Sequence, residues 1–317
     1  MKLINSSFEI YEQGPGLEDI YEAIERAGRT CYKSERPEGQ TAKDFVYRMI
    51  TSKHYAMLEH GTVYLKTPAQ HNYDDLVKFY SENPYSKVFE HKEPYKSKEW
   101  KRAGFYITTN LRVLVENDRL EDLKLLCEPT EFHEKRITVR FTTDRGVSHE
   151  FVRHRVFSFA QESTRYCNYS KDKFGNELTF IIPSWLAIEE GSYGIGHSFG
   201  KGHFYECNEN RIYCDETNKE EFFKVLNFLK TLDLSSQVYM SMLNTFFGLT
   251  PQQARQVLPN ALKTELVMTG FVSDWEHFFR LRTSIIAETG KPHPDASALA
   301  DPLYKEFIER GYMEPLV

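Results

Sequence analysis

Glu150–Ser170 reads EFVRHRVFSFAQESTRYCNYS, and the chain is best understood outward from it. Thirteen of its positions, Arg153 to Arg165, hold three arginines, a histidine, a glutamine and Ser163. A guanidinium is a planar fork of donors that meets phosphate or carboxylate oxygens two at a time. Arginines this dense, beside hydroxyl and amide groups, suit an anionic heterocyclic ligand, and a nucleotide has that chemistry. The competing reading is a solvated face on which the same arginines pair with Glu150, Glu162 and other acids.

The 317 residues are 40% hydrophobic, enough to bury one large core or two small ones. A net charge of -6 and a pI near 6.0 argue against wrapping a nucleic-acid polymer, which takes a broad excess of lysine and arginine. There is no apolar run of about 18 residues, and Met1–Ile10 lacks the apolar core of a signal peptide, so we expect a cytoplasmic protein without a membrane partner. Five cysteines with no CxxC pair suit free thiols in a reducing compartment. His197, His203, Cys207 and Cys214 lie near one another in sequence, but their spacing matches no common zinc pattern, and no metal is expected.

Periodicity predicts helices over Leu17–Cys31 and Thr41–Met49, and strands over Thr62–Leu65, Ile137–Phe141, the end at Phe180–Pro183 and Leu262–Val272. Phe105–Asn117 reads as a strand and then a helix capped by Asn110. A helix is expected over Val147–Arg155, one long or broken helix over Glu220–Phe247, a helix start at Thr250-Pro251, and a helix capped by Asp274 running through Ile286. Gly191–Asn218 is polar and glycine-rich, and its pattern assigns no element. No period of about 20 to 50 residues repeats. The expected class is α+β, a mixed sheet with packed helices.

Arg153-His154-Arg155, seven residues and Ser163, continuing as QESTRY, resembles the signature of the flavin-dependent thymidylate synthases. A second block is similar at matching intervals: Ala254-Arg255-Gln256-Val257-Leu258-Pro259, then Thr264, Thr269 and His277–Arg282. A third, His54–His60 (HYAMLEH), resembles the family's histidine segment before its first core strand. The resemblance implies methylation of dUMP to dTMP, with FAD as cofactor and NADPH and 5,10-methylenetetrahydrofolate as cosubstrates. It also implies a homotetramer whose subunits share each active site. Carried over by position, it implies FAD contacts at His54, Arg153, His154, Arg155, Gln161 and His277. It implies dUMP contacts at Glu150, Arg153, Gln161, Glu162, Ser163, Thr164, Arg165, Arg255 and Arg282, with Arg282 as the catalytic residue that activates the pyrimidine. Ser163 reads as a phosphate contact rather than a nucleophile, since no base flanks it. Paired with Glu276 or Glu288, Arg282 would instead be a surface residue.

The chain departs from that family in four places. Residues 84–135 read as an insertion into an otherwise single domain spanning 1–317, and they include the charged run EHKEPYKSKEWKR. Phe271-Val272-Ser273 stands where an Asn-x-Arg element is common, and Ala56 replaces a polar residue. After Arg282, Gly290 and Pro292 should end the helix early. Two other readings stay open: a related flavoenzyme acting on another pyrimidine nucleotide, and a non-catalytic nucleotide-binding module.

Overall fold

The computed structural model describes residues 1–68, 73–95, 99–171, 175–198, 202–207, 210–212, 219–244, 246–288 and 290–316. The chain begins with β1 (Lys2–Ile4) and β2 (Ser7–Tyr11), then α1 (Leu17–Tyr32) and α2 (Ala42–Thr51). A 3-10 turn, Tyr55–His60, leads into β3 (Thr62–Lys66), α3 (Asp74–Glu82), β4 (Lys87–Tyr95), β5 (Glu99–Asn110) and α4 (Leu111–Glu116). The middle holds β6 (Arg136–Asp144), α5 (Arg145–Phe151), β7 (Ser158–Gln161) and β8 (Thr179–Ile181). Next come β9 (Gly191–Ser198), β10 (Gly202–Cys207), β11 (Asn210–Ile212), α6 (Lys219–Leu243) and α7 (Pro251–Ala254). The chain closes with β12 (Lys263–Phe271), α8 (Val272–Arg282) and α9 (Pro294–Glu309).

The α+β class holds, but the strands form three sheets rather than one. An antiparallel sheet β2-β6-β12-β7 lies at the centre, with Leu266 opposite both Phe141 and Gln161. A five-stranded sheet β11-β10-β9-β1-β8 is mixed, since β1 runs parallel to β8 and antiparallel to β9. A third, β3-β5-β4, is antiparallel.

Alternation along β6 buries Ile137, Val139, Phe141 and Thr143 on one face of the central sheet. There they meet Val147 and Phe151 of α5, Trp275, Phe278 and Phe279 of α8, and Leu299, Leu303 and Phe307 of α9. Trp275 Nε1 donates to the Ile137 carbonyl at 3.1 Å, so its one polar group is satisfied within this core. The opposite face packs Val267 and Ala160 against Ala27 of α1. Residues two apart on β7 and β12 share a face and neighbours do not, which later separates Gln161 from Glu162.

Several helix limits differ from expectation. The helix placed at Val147–Arg155 is α5, which starts at Arg145 because the Asp144 carboxylate caps the Val147 amide at 2.9 Å. It stops at Phe151, so Arg153-His154-Arg155 lies in the following turn. Asp274 sits inside α8 and accepts from the Phe271 amide at 3.0 Å, capping the helix start from its third position. That helix ends at Arg282 rather than Ile286, where the Thr283 hydroxyl donates back to the Phe279 carbonyl at 2.8 Å. Asn110 does cap α4, accepting from the Val113 amide at 3.2 Å, and α6 is unbroken. The pattern gave no warning of β1, β2, α9 or the β9–β10 hairpin.

The 84–135 segment is built into the fold. Its strand β5 pairs with β3 from Thr62↔Asn110 to Lys66↔Tyr106, and Leu111, Val113 and Leu114 share a core with Ile20, Ile24 and Phe45. Among the described residues no helix is long and apolar enough to cross a membrane. Nor do three or more His, Cys, Asp or Glu side chains among them gather to hold a metal; Cys214 lies outside the described residues.

Candidate functional site

The end of α8 delivers Arg282 onto the turn after α5. Its Nη1 pairs with the Glu150 carboxylate, Nη2 donates to the Glu150 carbonyl at 3.0 Å, and Nε donates to His154 Nε2 at 3.1 Å. The partner is Glu150, 132 positions away, rather than Glu276 or Glu288. Glu288 pairs with Arg280 at 2.5 Å.

His154 accepts from Arg282 through Nε2, which puts its proton on Nδ1. The ring is buried against Phe278, and the His277 ring centre is 6.2 Å away. Burial, the Arg282 charge and His277 together push its pKa down to about 4, so it is neutral at physiological pH. Gln161 faces the same side of the sheet; its amide nitrogen donates to Ser148 at 2.9 Å and Thr264 at 3.3 Å. Arg153 and Arg155 flank His154, and among the described residues neither guanidinium has a hydrogen-bond or ion-pair partner.

A second group lies beyond the end of β7. The Tyr166 and Cys167 amides both bond to the Ser163 carbonyl, at 3.1 and 3.0 Å, folding Ser163–Cys167 into a tight turn. Arg255 Nη1 donates to the Thr164 hydroxyl at 3.2 Å, and Arg165 Nε donates to Gln252 Oε1 at 3.0 Å. Thus α7 and its 3-10 extension, fixed by the Thr250–Gln253 capping box, brace this turn from the second sequence block.

Glu162 points the other way. Its carboxylate accepts from the Tyr169 hydroxyl at 2.9 Å and from Lys263 Nζ at 2.8 Å, in the wall of a cavity of about 900 Å³. Lys33 and Glu265 complete this cluster. Burial pushes the Glu265 carboxyl up, but the Lys263 and Lys33 ammoniums more than offset it and hold its pKa at about 2. We had not expected Lys33, Lys263, Glu265 or Tyr169 here. The available signal was charge at alternate positions 263 and 265 of a strand otherwise buried.

Among the described residues no hydrogen bond or ion pair joins His54 to these groups, but its pocket borders the Ser163–Cys167 turn, since the Cys31 carbonyl accepts from the Ser163 amide at 2.9 Å and the Tyr32 ring centre lies 5.5 Å from that of Tyr166. His54 is exposed at the start of the 3-10 turn and lines a pocket of about 500 Å³ with Cys31, Tyr32, Tyr55, Met57 and Arg112. The other histidine of that block, His60, is buried, with Nδ1 2.8 Å from the Thr269 hydroxyl, and burial beside Arg136 lowers its pKa to about 3.

The sequence profile of the thymidylate synthase complementing protein family matches residues 102–310. The chain belongs to that family. Among curated relatives, the flavin-dependent thymidylate synthase of Pyrococcus furiosus is 26% identical over 173 residues, covering 55% of this chain and 54% of its own. That of Corynebacterium efficiens is 29% identical over 153 residues, covering 44% of this chain and 46% of its own. The chain thus spans about half the length of the curated relatives it matches. Of solved structures, the UMP/dUMP methylase PolB from Streptomyces cacaoi bound with 5-Br dUMP aligns over 98% of this chain and 93% of its own, at 14% identity and a TM-score of 0.42.

The two long blocks that carry the resemblance, the Arg-His-Arg segment and Ala254–Arg282, fall inside the matched range. His54–His60, β4 and the first three residues of β5 fall before it. Of the residues singled out in the sequence, the fold joins Glu150, His154, His277 and Arg282 in one cluster and Thr164, Arg165 and Arg255 in another, and leaves Glu162 and His54 outside both.

Proposed function

We propose that this protein is an FAD-dependent thymidylate synthase, forming dTMP from dUMP with 5,10-methylenetetrahydrofolate as carbon donor and NADPH as reductant. The observation that carries this reading is the three-point grip on Arg282. Held by a carboxylate, a carbonyl and a neutral imidazole, the guanidinium is preorganised beside the Arg-His-Arg turn. A fixed cation at the pyrimidine's N3 edge stabilises negative charge as it develops on the ring, without any proton transfer. Because His154 is uncharged, it aligns Arg282 without repelling it.

The residues present fit a flavin. Arg153 and Arg155 offer two guanidiniums without partners among the described residues for its diphosphate, with His154, His277, Gln161 and His54 as the remaining contacts. Bound FAD supplies the hydride chemistry. The protein's own share is binding and orientation. The turn Ser163–Arg165 presents hydroxyls, amides and a guanidinium suited to the dUMP phosphate, braced by Arg255. The separation of His54 from the Arg282 cluster is accounted for if sites are completed between subunits of a homotetramer.

Purified protein reconstituted with FAD should bleach on anaerobic NADPH and regain its flavin bands when dUMP and methylenetetrahydrofolate are added, with dTMP formed. A flavin reoxidised by dCMP but not dUMP would reassign the nucleotide. Nucleotide binding with no flavin uptake would leave a non-catalytic module.

A further inference from the structure

The cluster beneath the Ser163–Cys167 turn is a candidate for a role of its own. Glu162 is almost wholly buried, yet it faces away from Gln161 and Arg282, so it is badly placed to touch a ligand held by them. Both its oxygens are committed, one to Tyr169 and the other to Lys263. Lys263 also holds Glu265 at 2.8 Å; Lys33 pairs with Glu265 and lies 3.9 Å from Glu162. Two ammoniums and two carboxylates face one another in a partly buried square, with the Arg140 guanidinium 3.9 Å from Glu265 at its edge, and removing Lys263 takes from Glu162 its nearest cation.

The main chain ties the same points together. The Glu162 amide donates to the Glu265 carbonyl at 2.8 Å, and the Ser163 amide to the Cys31 carbonyl at 2.9 Å, two residues before Lys33. The turn that displays Ser163, Thr164 and Arg165 is thus anchored by β12 at the residue before it and by the end of α1 at its first residue. Tyr169 anchors it again from the far side.

We propose that Lys263, Tyr169 and Glu162 form a lock, completed by Lys33 and Glu265, that sets the conformation of the Ser163–Arg165 turn; Lys263 and Tyr169 are positioning residues acting through Glu162. Without Lys263 the Glu162 carboxylate gains hydration only by swinging toward the 900 Å³ cavity it borders, and its backbone, which leads directly into the turn, moves with it.

The lock itself is tested by hydrogen exchange on the ligand-free protein. Lys263→Met should speed exchange of the Ser163, Tyr166 and Cys167 amides by about ten- to hundredfold, the range a lost charge-assisted bond corresponds to, while the Val152 amide at the end of α5 is unchanged. Lys263→Arg should restore most of the protection. Tyr169→Phe, a milder change, should give a smaller effect at the same amides and serves if Lys263→Met does not fold. Unaltered exchange at those amides in a folded variant overturns the proposal.

The effect on substrate rests on the dUMP reading above. There Lys263→Met should raise KM for dUMP by about tenfold with kcat little changed, and Lys263→Arg should reverse it. A loosened turn with unchanged KM would confine the lock to stability and overturn its positioning role. A wild-type protein that does not bind dUMP would sink the dUMP reading while leaving the exchange result to decide the lock.

Discussion

Arg282 Nε donates to His154 Nε2 at 3.1 Å, and this contact makes the second histidine of an arginine-rich motif a buried support for an arginine from the other end of the chain. Both residues sit at the ends of elements, after α5 and at the last position of α8, where a small shift in helix length would separate them. Arg282→Ala should therefore lose dTMP formation by on the order of a hundredfold or more, as expected when a preorganised electrostatic group is removed. Folding and FAD uptake should survive, since Arg282 lies at the rim of the core. Arg282→Lys should restore little, because one ammonium cannot reproduce a fork that meets Glu150 and His154 together. Turnover within a few fold of wild type in either variant would remove Arg282 from the catalytic role.

Stability should fall with acid below neutrality. His154 and His60 have folded pKa values of about 4 and 3, both below the unfolded value near 6.5, so the unfolded chain binds more protons between those limits. The contribution of each is complete above about pH 6.5 and is lost as pH falls toward its folded pKa. Urea unfolding should thus lose on the order of 1 to 2 kcal/mol per pH unit between pH 6 and 4.5, and His154→Gln should flatten that slope. An unfolding free energy that stays level over this range would contradict the burial assigned to both rings.

The motif blocks were legible because the residue types that carry anion chemistry are rare enough to stand out, but the end of α5 at Phe151, which leaves Arg153-His154-Arg155 in a turn, was not. The capping of α4 by Asn110 and the opening of α7 at Thr250 were local matters of side-chain oxygens and amides. What the sequence hid was set by distant partners. Glu162 and Gln161 are adjacent, yet strand alternation sends one to a lysine cluster and the other to Ser148 and Thr264. β1 is three residues long and gains its partners from β8 and β9, some 180 positions later, so no local pattern announces it. Helix α9 begins with proline and carries Pro302 inside, which masks its apolar stripe.

A glycine couples the motif to the sheet. A Cβ added to Gly270 of β12 would stand 2.6 Å from two ring carbons of Phe157, the second residue after Arg155. Phe157 is fixed between Trp275 and Phe278, so it has little room to yield. Gly270→Ala should cost roughly 1 to 3 kcal/mol in the manner of an overpacked core. If the ring moves instead, the Arg-His-Arg turn moves with it, and FAD affinity should weaken in step. A thermal midpoint and a flavin titration equal to wild type would show that the contact relaxes freely.

Arg165 and Arg255 meet the Ser163–Cys167 turn in different ways, and their variants should differ accordingly. Arg165 is exposed and bonds only to Gln252 among the described side chains, besides lying 5.4 Å over the Tyr166 ring, so Arg165→Ala should leave stability nearly unchanged. It should raise KM for dUMP about ten- to hundredfold through the lost charge-assisted phosphate contact. Arg255→Ala also frees the buried Thr164 hydroxyl and should lower the melting temperature as well as the affinity. Equal stability losses in the two variants, or unaltered dUMP affinity in Arg165→Ala, would contradict these assignments.

Residues 84–135 look separable in the sequence, but their packing predicts that they are not. Strand β5 is the central strand of its sheet, between β3 and β4, and Ile107, Leu111 and Leu114 are buried in the core that holds α1 and α2. Tyr80 of α3 donates to Asp122 at 2.9 Å from inside the same region. Joining residue 83 to residue 136 would expose β3 as an edge and strip the apolar cover from Ile24 and Phe45. Since α1 also supplies Lys33 and the Cys31 carbonyl to the Ser163–Cys167 turn, the loss would reach the candidate site. The deletion variant should be insoluble or lack near-ultraviolet circular dichroism; a soluble variant that unfolds cooperatively near the wild-type midpoint would instead show that the segment is an appendage.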